Sequence, residues 1–248
     1  LEKDKAMINR LGFNNHGAEI VSKRLSQNKP RGILGINIGP NKDTKNKVDD
    51  FIYGLSKFHV YADYITINIS SPNTEGLRNF HKKDSLSELL SKLNKLKKNK
   101  KIKQPLVLKL SPDISEKDSS NIVELIMKFN IDGIIVSNTS DQSRENLLDD
   151  KKNEKGGLSG RPIKNISTEL IKFFYKTLNK KIQIIGVGGI DSGESALEKI
   201  MAGATAVQLY TGMIYEGPGI VKQIKKDLIL TLRKEKIKNI IDAVGIKA

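Results

Sequence analysis

L-V-L-K-L-S, Leu106 to Ser111, is apolar at four of its first five positions and ends in polar groups, Lys109 and Ser111. A short run with so little alternation suits a strand buried on both faces, as in a parallel sheet covered by helices. Five more runs share the pattern: Ile33 to Ile38, Tyr64 to Ile69, Gly133 to Val136, Ile182 to Val187 and Ala206 to Tyr210. Segments of helical period lie between them, such as Ile122, Leu125, Ile126 and Phe129, or Leu170, Ile171, Phe174 and Leu178. Alternating strand and helix patterns imply an α/β fold, either a barrel or a doubly wound sheet.

The polar residues separate these two. An open sheet concentrates function at one switch point, whereas a barrel gathers it at the carboxyl ends of many strands. Here every run has a polar tip: Asn37 with Gly39; Asn68, Ser70 and Ser71; Lys109 with Ser111; Ser137, Asn138 and Thr139; Gly188 with Gly189; and Tyr210, Thr211 and Gly212. The expectation is a (β/α)8 TIM barrel, with six of its eight strands in this sequence. G-V-G-G-I (Gly186 to Ile190) and Tyr210-Thr211-Gly212 suit the phosphate site that barrels build after strands seven and eight. The first two strands then fall upstream of residue 1, in keeping with a chain that starts at Leu1 and not at Met. Residues 1–248 read as a single, partial barrel domain, with Asp141 to Lys155 as a charged, mobile surface loop.

Composition narrows the chemistry. Of 248 residues, 38% are hydrophobic and 29% charged, as in a globular domain with a sizeable core. The absence of cysteine removes disulfides, thiolate metal sites and a cysteine nucleophile. No run approaches the roughly 18 apolar residues that span a bilayer. The net charge of +15 points to nucleic acid, an anionic surface or acidic substrates only if it forms a patch. Much of it sits at Lys92, Lys95, Lys97, Lys98, Lys100, Lys101 and Lys103, opposite a stripe of Leu86, Leu89, Leu90, Leu93 and Leu96. That reads as the solvated face of a helix. With 5% aromatic residues, base-stacking platforms are poorly supported, and no nucleic-acid partner is expected.

None of the tips carries Asp, Glu, His or Cys, so a metal site, a carboxylate pair and a Ser-His-Asp triad lack their residues there. His16, His59 and His81 share no ligand spacing and read as surface or capping residues. Amides, hydroxyls, glycines and one lysine hydrogen-bond a planar heterocycle and cradle a phosphate, but redox chemistry then needs a bound cofactor. A phosphate-bearing flavin fits, with Lys109 placing positive charge where reduction builds negative charge. Taken singly, the glycine pair only turns the chain, an asparagine only caps a strand end, and Ser70 with Ser71 only caps the turn before Pro72.

Eight motifs in order resemble those of class 2, quinone-dependent dihydroorotate dehydrogenases. They are I-N-R-L-G-F-N-N-H-G (Ile8 to Gly17), G-I-N-I-G (Gly35 to Gly39), N-I-S-S-P-N-T-x-G-L-R (Asn68 to Arg78), L-K-L-S-P-D (Leu108 to Asp113), I-D-G-I-I-V-S-N-T (Ile131 to Thr139), G-G-L-S-G-R-P (Gly156 to Pro162), I-I-G-V-G-G-I (Ile184 to Ile190) and V-Q-L-Y-T-G (Val207 to Gly212). The resemblance implies FMN as cofactor and oxidation of dihydroorotate to orotate in pyrimidine biosynthesis, with ubiquinone or menaquinone as acceptor. It implies that Asn9, Asn68, Asn73 and Asn138 hold the pyrimidine beside Phe13 and Thr139. Asn37, Asn68, Lys109, Ser137 and Thr139 would meet the flavin or its ribityl chain, and Ser159, Gly160, Gly188, Gly189, Tyr210 and Thr211 the ribityl and phosphate end. Ser71 is the implied base, where the related class 1 enzymes carry cysteine, and Gly76 to Phe80 would belong to a mobile lid.

The same resemblance implies an upstream region outside this sequence, with two strands, a lysine touching flavin and substrate, and a small helical domain that forms the quinone tunnel and membrane contact. Peripheral attachment to the cytoplasmic side of a bacterial inner membrane follows, or alternatively to the mitochondrial inner membrane. Two other readings compete: an inactive FMN- or phosphate-binding remnant, and another FMN barrel reductase acting on pyrimidines.

Overall fold

The computed structural model describes every residue except Glu75 and Ser143. In chain order its main elements are β1 (Ala6–Asn9), α1 (Ala18–Gln27), β2 (Gly35–Ile38), α2 (Lys47–Phe58), β3 (Tyr64–Asn68), α3 (Lys83–Asn99), β4 (Leu106–Leu110) and α4 (Glu116–Lys128). There follow β5 (Gly133–Val136), β6 (Gly157–Gly160), α5 (Lys164–Thr177), β7 (Gln183–Val187), α6 (Gly193–Met201), β8 (Ala206–Gln208), α7 (Thr211–Glu216) and α8 (Ile220–Lys234). All six predicted strands form, in the sheet order β2-β3-β4-β5-β7-β8. The order is that of successive βα units, as in six strands of a (β/α)8 barrel. β2 begins at Gly35 rather than Ile33, and Ile33 is exposed.

The chain folds as two compact units interleaved in sequence. The first comprises Leu1–Arg10, Leu110–Asp113 and Ile134–Ala248; the second comprises Leu11–Lys109 and Ile114–Gly133.

In the second unit, β2, β3 and β4 pair in parallel, with Asn37 opposite Thr66 and Asn68 opposite Lys109. Ile65, Ile67 and Ile69 are fully buried, as are Phe51 and Leu55 of α2. Phe51 meets Phe80 edge to face at 5.7 Å. α2 starts where the Asn46 side chain accepts from the Val48 N–H at 3.3 Å, with Asp49 and Asp50 in the first turn to favour the helix dipole. On α3 the leucine stripe Leu86, Leu89, Leu90 and Leu93 is buried, and Lys92, Lys95 and Lys98 are exposed. The solvated-face reading therefore holds. Lys92 pairs with Glu88 at 2.7 Å, and Lys97 of the same helix with Asp132 at 3.1 Å.

The first unit holds two strands that the sequence pattern did not reveal. β1 and β6 form an antiparallel ribbon, with Ala6 opposite Gly160, Met7 opposite Ser159 and Asn9 opposite Gly157. Neither strand alternates or carries a β-branched cluster. What permits the pairing is Gly160, at φ +100, where a Cβ would lie 2.4 Å from the Lys5 carbonyl oxygen. Ala6 and Leu158 from the ribbon are buried in a cluster with Leu147 and Ile163.

The segment Asp141 to Lys155 is expected to be a mobile loop; Ser143 lies outside the described residues, and several of the others are tied down. Leu147 is buried, and the Leu148 and Asp149 N–H groups donate to the Asp4 carboxylate at 2.9 and 3.1 Å. The Arg144 guanidinium donates to the carbonyls of Lys152, Glu154 and Gly156. A charged, aperiodic sequence is ordered here by hydrogen bonds to backbone groups, which leave no periodic trace.

Candidate active site

The second unit contributes the tips of β2, β3 and β4. Alternation along parallel strands in this register puts Asn37, Thr66, Asn68 and Lys109 on one face of the sheet. Asn68 is buried, and its Oδ1 accepts from the Ser70 N–H at 3.2 Å and the Ser70 hydroxyl at 2.8 Å. Ser71 is buried as well, and its Oγ accepts from the Asn73 N–H at 3.3 Å. Asn68, Ser71 and Asn73 are thus held by one turn, while Asn37 is exposed at the β2 tip. Phe13, at φ +60, lays its ring against Gly39 just beyond that tip, where a Cβ would come within 3.2 Å of Phe13 Cε2.

Lys109 sits beside Asn68 on the neighbouring strand and makes no hydrogen bond or ion pair among the described residues. Desolvation holds its ammonium below the ordinary lysine range. A cation so placed suits an anionic or electron-accepting ligand.

Gly76 to Phe80, expected in a lid, enters a 3-10 helix, Leu77–His81, with Leu77, Phe80 and His81 buried. Lifting it would expose Leu77 and Phe80, at about 1.5–3 kcal/mol each. His81 corrects the expectation of a surface or capping residue. It is 6% exposed, its Nε2 has no hydrogen-bond partner, and burial first, then the Arg78 charge, lower its pKa to about 4. Phe80 before it was the one local signal for its burial, since Lys82, Lys83 and Asp84 follow it.

The first unit contributes the ribbon, the β5 tip and the turns after β7 and β8. Asn9 lies on β1 with its Nδ2 3.5 Å from the Gly157 carbonyl oxygen. Ser137 is buried and its hydroxyl donates to the Asn138 carbonyl at 3.3 Å. Asn138 Oδ1 accepts from the Thr139 N–H at 2.8 Å, and the Asn138 N–H donates to the Leu110 carbonyl at 2.8 Å.

Ser159, Gly160 and Thr211 come together. The Thr211 hydroxyl donates to Ser159 Oγ at 2.8 Å, and a Cβ at Gly160 would lie 3.1 Å from Thr211 Cγ2. Gly212 touches the turn after β7, since a Cβ there would lie 2.7 Å from the Ile190 carbonyl oxygen. Gly188 and Gly189 take φ +126 and +70 in that turn. A Cβ on Gly189 would lie 2.5 Å from Lys164 Cβ, and one on Gly188 would lie 3.0 Å from Ser167 Oγ. The turn therefore carries no side chain of its own over its backbone, as a phosphate cradle requires. Tyr210 departs from its sister residues: its side chain is 60% exposed, while its carbonyl accepts from the Met213 and Ile214 N–H groups at the start of α7.

Sequence reasoning missed Arg161, whose guanidinium pairs with Asp191 next to the glycine turn, and Lys199, fully buried behind it. Arg161 stands inside G-G-L-S-G-R-P, which was a usable signal; a lysine on a helix between apolar residues gives none. Among the described residues no group of three or more His, Asp or Glu is placed to hold a metal ion. In the first unit the glycine turn and its hydroxyls fit a phosphate group; in the second the unpartnered Lys109 fits an electron-accepting one.

The family model for dihydroorotate dehydrogenase matches residues 1–232. The chain belongs to the dihydroorotate dehydrogenase family. Within that family, it is 46% identical over 247 residues to the dihydroorotate dehydrogenase (quinone) of Bartonella tribocorum, covering 98% of this chain and 68% of that protein. It is 45% identical over 231 residues to the enzyme of the same name from Christiangramia forsetii, covering 92% and 67%. These relatives are of the quinone-dependent class 2 type. The chain spans about two thirds of their length. The DHODH of Eimeria tenella in complex with ferulenol superposes with a TM-score of 0.94 at 36% identity, over 99% of this chain and 72% of that one. Such a likeness across nearly every residue fits a dihydroorotate dehydrogenase barrel, of which this chain carries six strands.

Proposed function

We propose that this chain carries out the oxidation of dihydroorotate to orotate, with FMN as cofactor and a quinone as final acceptor, in pyrimidine biosynthesis. The observation that carries the reading is the second unit's strand-tip set. A buried serine hydroxyl, a buried asparagine and an unpartnered, desolvated lysine on adjacent strands have no structural task that explains all three.

Ser71 takes the proton from C5 of the substrate. A serine is a weak base, so burial and a relay to a further group or water must accompany the transfer. The Asn73 N–H at its Oγ fixes the hydroxyl's direction. Asn9, Asn68, Asn73 and Asn138, with both donors and acceptors, suit the alternating C=O and N–H edge of the pyrimidine, and Phe13 and Thr139 line it. FMN, when bound, supplies the acceptor for the hydride leaving C6. Asn37, Asn68, Lys109 and Ser137 would hold its ring, with Lys109 countering the negative charge that reduction builds. Ser159, Gly160, Gly188, Gly189, Thr211 and the backbone of Tyr210 would hold the ribityl chain and phosphate.

We further propose peripheral attachment to the cytoplasmic side of a bacterial inner membrane through a helical region outside these residues, and that residues 1–248 act as one FMN-binding domain. Among the described residues no helix is long and apolar enough to cross a membrane.

The test is stopped-flow flavin reduction by dihydroorotate. The protein is expected to bind FMN and to bleach on mixing, and Ser71→Ala to bind FMN and bleach far more slowly. Unchanged reduction in Ser71→Ala would remove the serine from the mechanism, and absence of flavin binding would remove the whole reading.

A further inference from the structure

Lys199 is fully buried, and its Nζ lies 2.6 Å from the Lys164 carbonyl oxygen, 2.7 Å from Ser167 Oγ and 2.7 Å from Thr168 Oγ1. The proton count favours the ammonium. The Ser167 hydroxyl donates to the Val187 carbonyl at 2.9 Å, and the Thr168 hydroxyl to the Lys164 carbonyl at 2.9 Å, so both hydroxyls can only accept from the lysine. Three acceptors need three N–H donors, which an ammonium has and a neutral amine lacks. The same residues form the floor of the glycine turn, because Gly189 rests on Lys164 and Gly188 on Ser167.

We propose that Lys199 is a positioning residue for the cofactor's phosphate. Its ammonium ties α6 to the first turn of α5, whose Ser167 hydroxyl in turn reaches the end of β7, and it lends a buried positive charge behind the Gly188–Gly189 turn. This rests on the reading of that turn as the FMN phosphate site. The charge acts through Lys164 and Ser167, without touching the ligand, and low-dielectric surroundings let it act over that distance.

The charge is also close to titrating. Burial first pulls the lysine down, with Glu198 opposing and Lys164 adding to the drop, to about 7. Of the elements around it, α5 brings Lys164 and α6 brings Glu198, paired with each other at 3.0 Å, and β7 brings no titratable side chain. A bound phosphate dianion favours the ammonium, so affinity is full below the free protein's pKa and falls as pH rises through it. The phosphate's own second ionisation, near pH 6, lies below that window.

The experiment compares FMN with riboflavin, which has the ring and ribityl chain but no phosphate, by fluorescence quenching from pH 6.5 to 9. In the unmodified protein the FMN-to-riboflavin affinity ratio is expected to fall about tenfold across this range, by proton linkage. In Lys199→Met the ratio is expected to start about tenfold lower and to stay flat with pH. Equal weakening of both ligands in Lys199→Met would assign the residue to packing alone and overturn the proposal. A flat ratio in the unmodified protein would overturn it even if Lys199→Met fails to fold. Equal affinity for FMN and riboflavin at every pH would instead withdraw the phosphate reading of the turn.

Discussion

Lys109 at the tip of β4 and Lys199 on α6 are both drawn below the ordinary lysine range by burial, but their surroundings differ. Lys199 has an acceptor for each of its three N–H groups, whereas Lys109 has none among the described residues. The desolvation that each suffers is answered inside the protein in one case and left open in the other. A buried cation whose bonds are complete belongs to the scaffold; one whose bonds are open waits for a ligand. The second unit thus holds the groups proposed to react, Ser71 and Lys109, at strand tips, and the first unit holds glycines and hydroxyls over a completed network.

The sharpest way to break this contrast is at Ser71. Loss of a general base typically lowers a rate about 10²–10⁴-fold, so Ser71→Ala is expected to slow flavin reduction on that scale with FMN affinity unchanged. Lys109→Met is expected to slow reduction by about 10²-fold while FMN still binds. In the unmodified protein, reduction that needs this ammonium should decline as pH rises through its lowered pKa. If Lys109→Met instead left flavin binding and reduction unchanged, Lys109 would belong with the scaffold and the contrast would fail.

His81 sharpens the comparison, because it is a third buried basic group and also lacks a partner at Nε2. Its folded pKa of about 4 lies below the unfolded value of 6.5. Folding therefore favours the neutral ring, and the stability it contributes is present above pH 6.5 and lost as pH falls toward 4. The loss amounts to about 3 kcal/mol, visible as a falling melting temperature that His81→Leu should flatten. At the smallest scale, Gly189→Ala must adopt φ +70 against Lys164. A left-handed conformation costs an alanine about 1–2 kcal/mol, so FMN affinity is expected to drop about tenfold, measured by quenching, while dihydroorotate still bleaches the flavin that binds.

Much of the fold was legible because buried parallel strands announce themselves: four to six apolar residues closed by a polar tip, repeated at βα spacing. β5 matched its predicted bounds, Gly133 to Val136. The β1–β6 ribbon was not legible, since A-M-I-N and G-L-S-G have neither alternation nor a β-branched cluster, and their pairing depends on close backbone approach at Gly160. The Arg144 clip on the segment 141–155 escaped for a related reason, because backbone carbonyls carry no sequence identity.

The amino-acid order alone determined the α/β alternation, the polar tips, the family motifs and the type of the candidate base, for these are properties of residue identity and spacing. Tertiary structure decided which polar groups are satisfied. Asn68 and Lys109 lie forty-one residues apart and become neighbours only through strand register. Lys199 reads in the sequence as one more lysine in a basic chain, and only the fold surrounds it with three acceptors and removes the water. Residue identity sets what a group is able to donate or accept; three-dimensional packing sets whether anything is there to receive it.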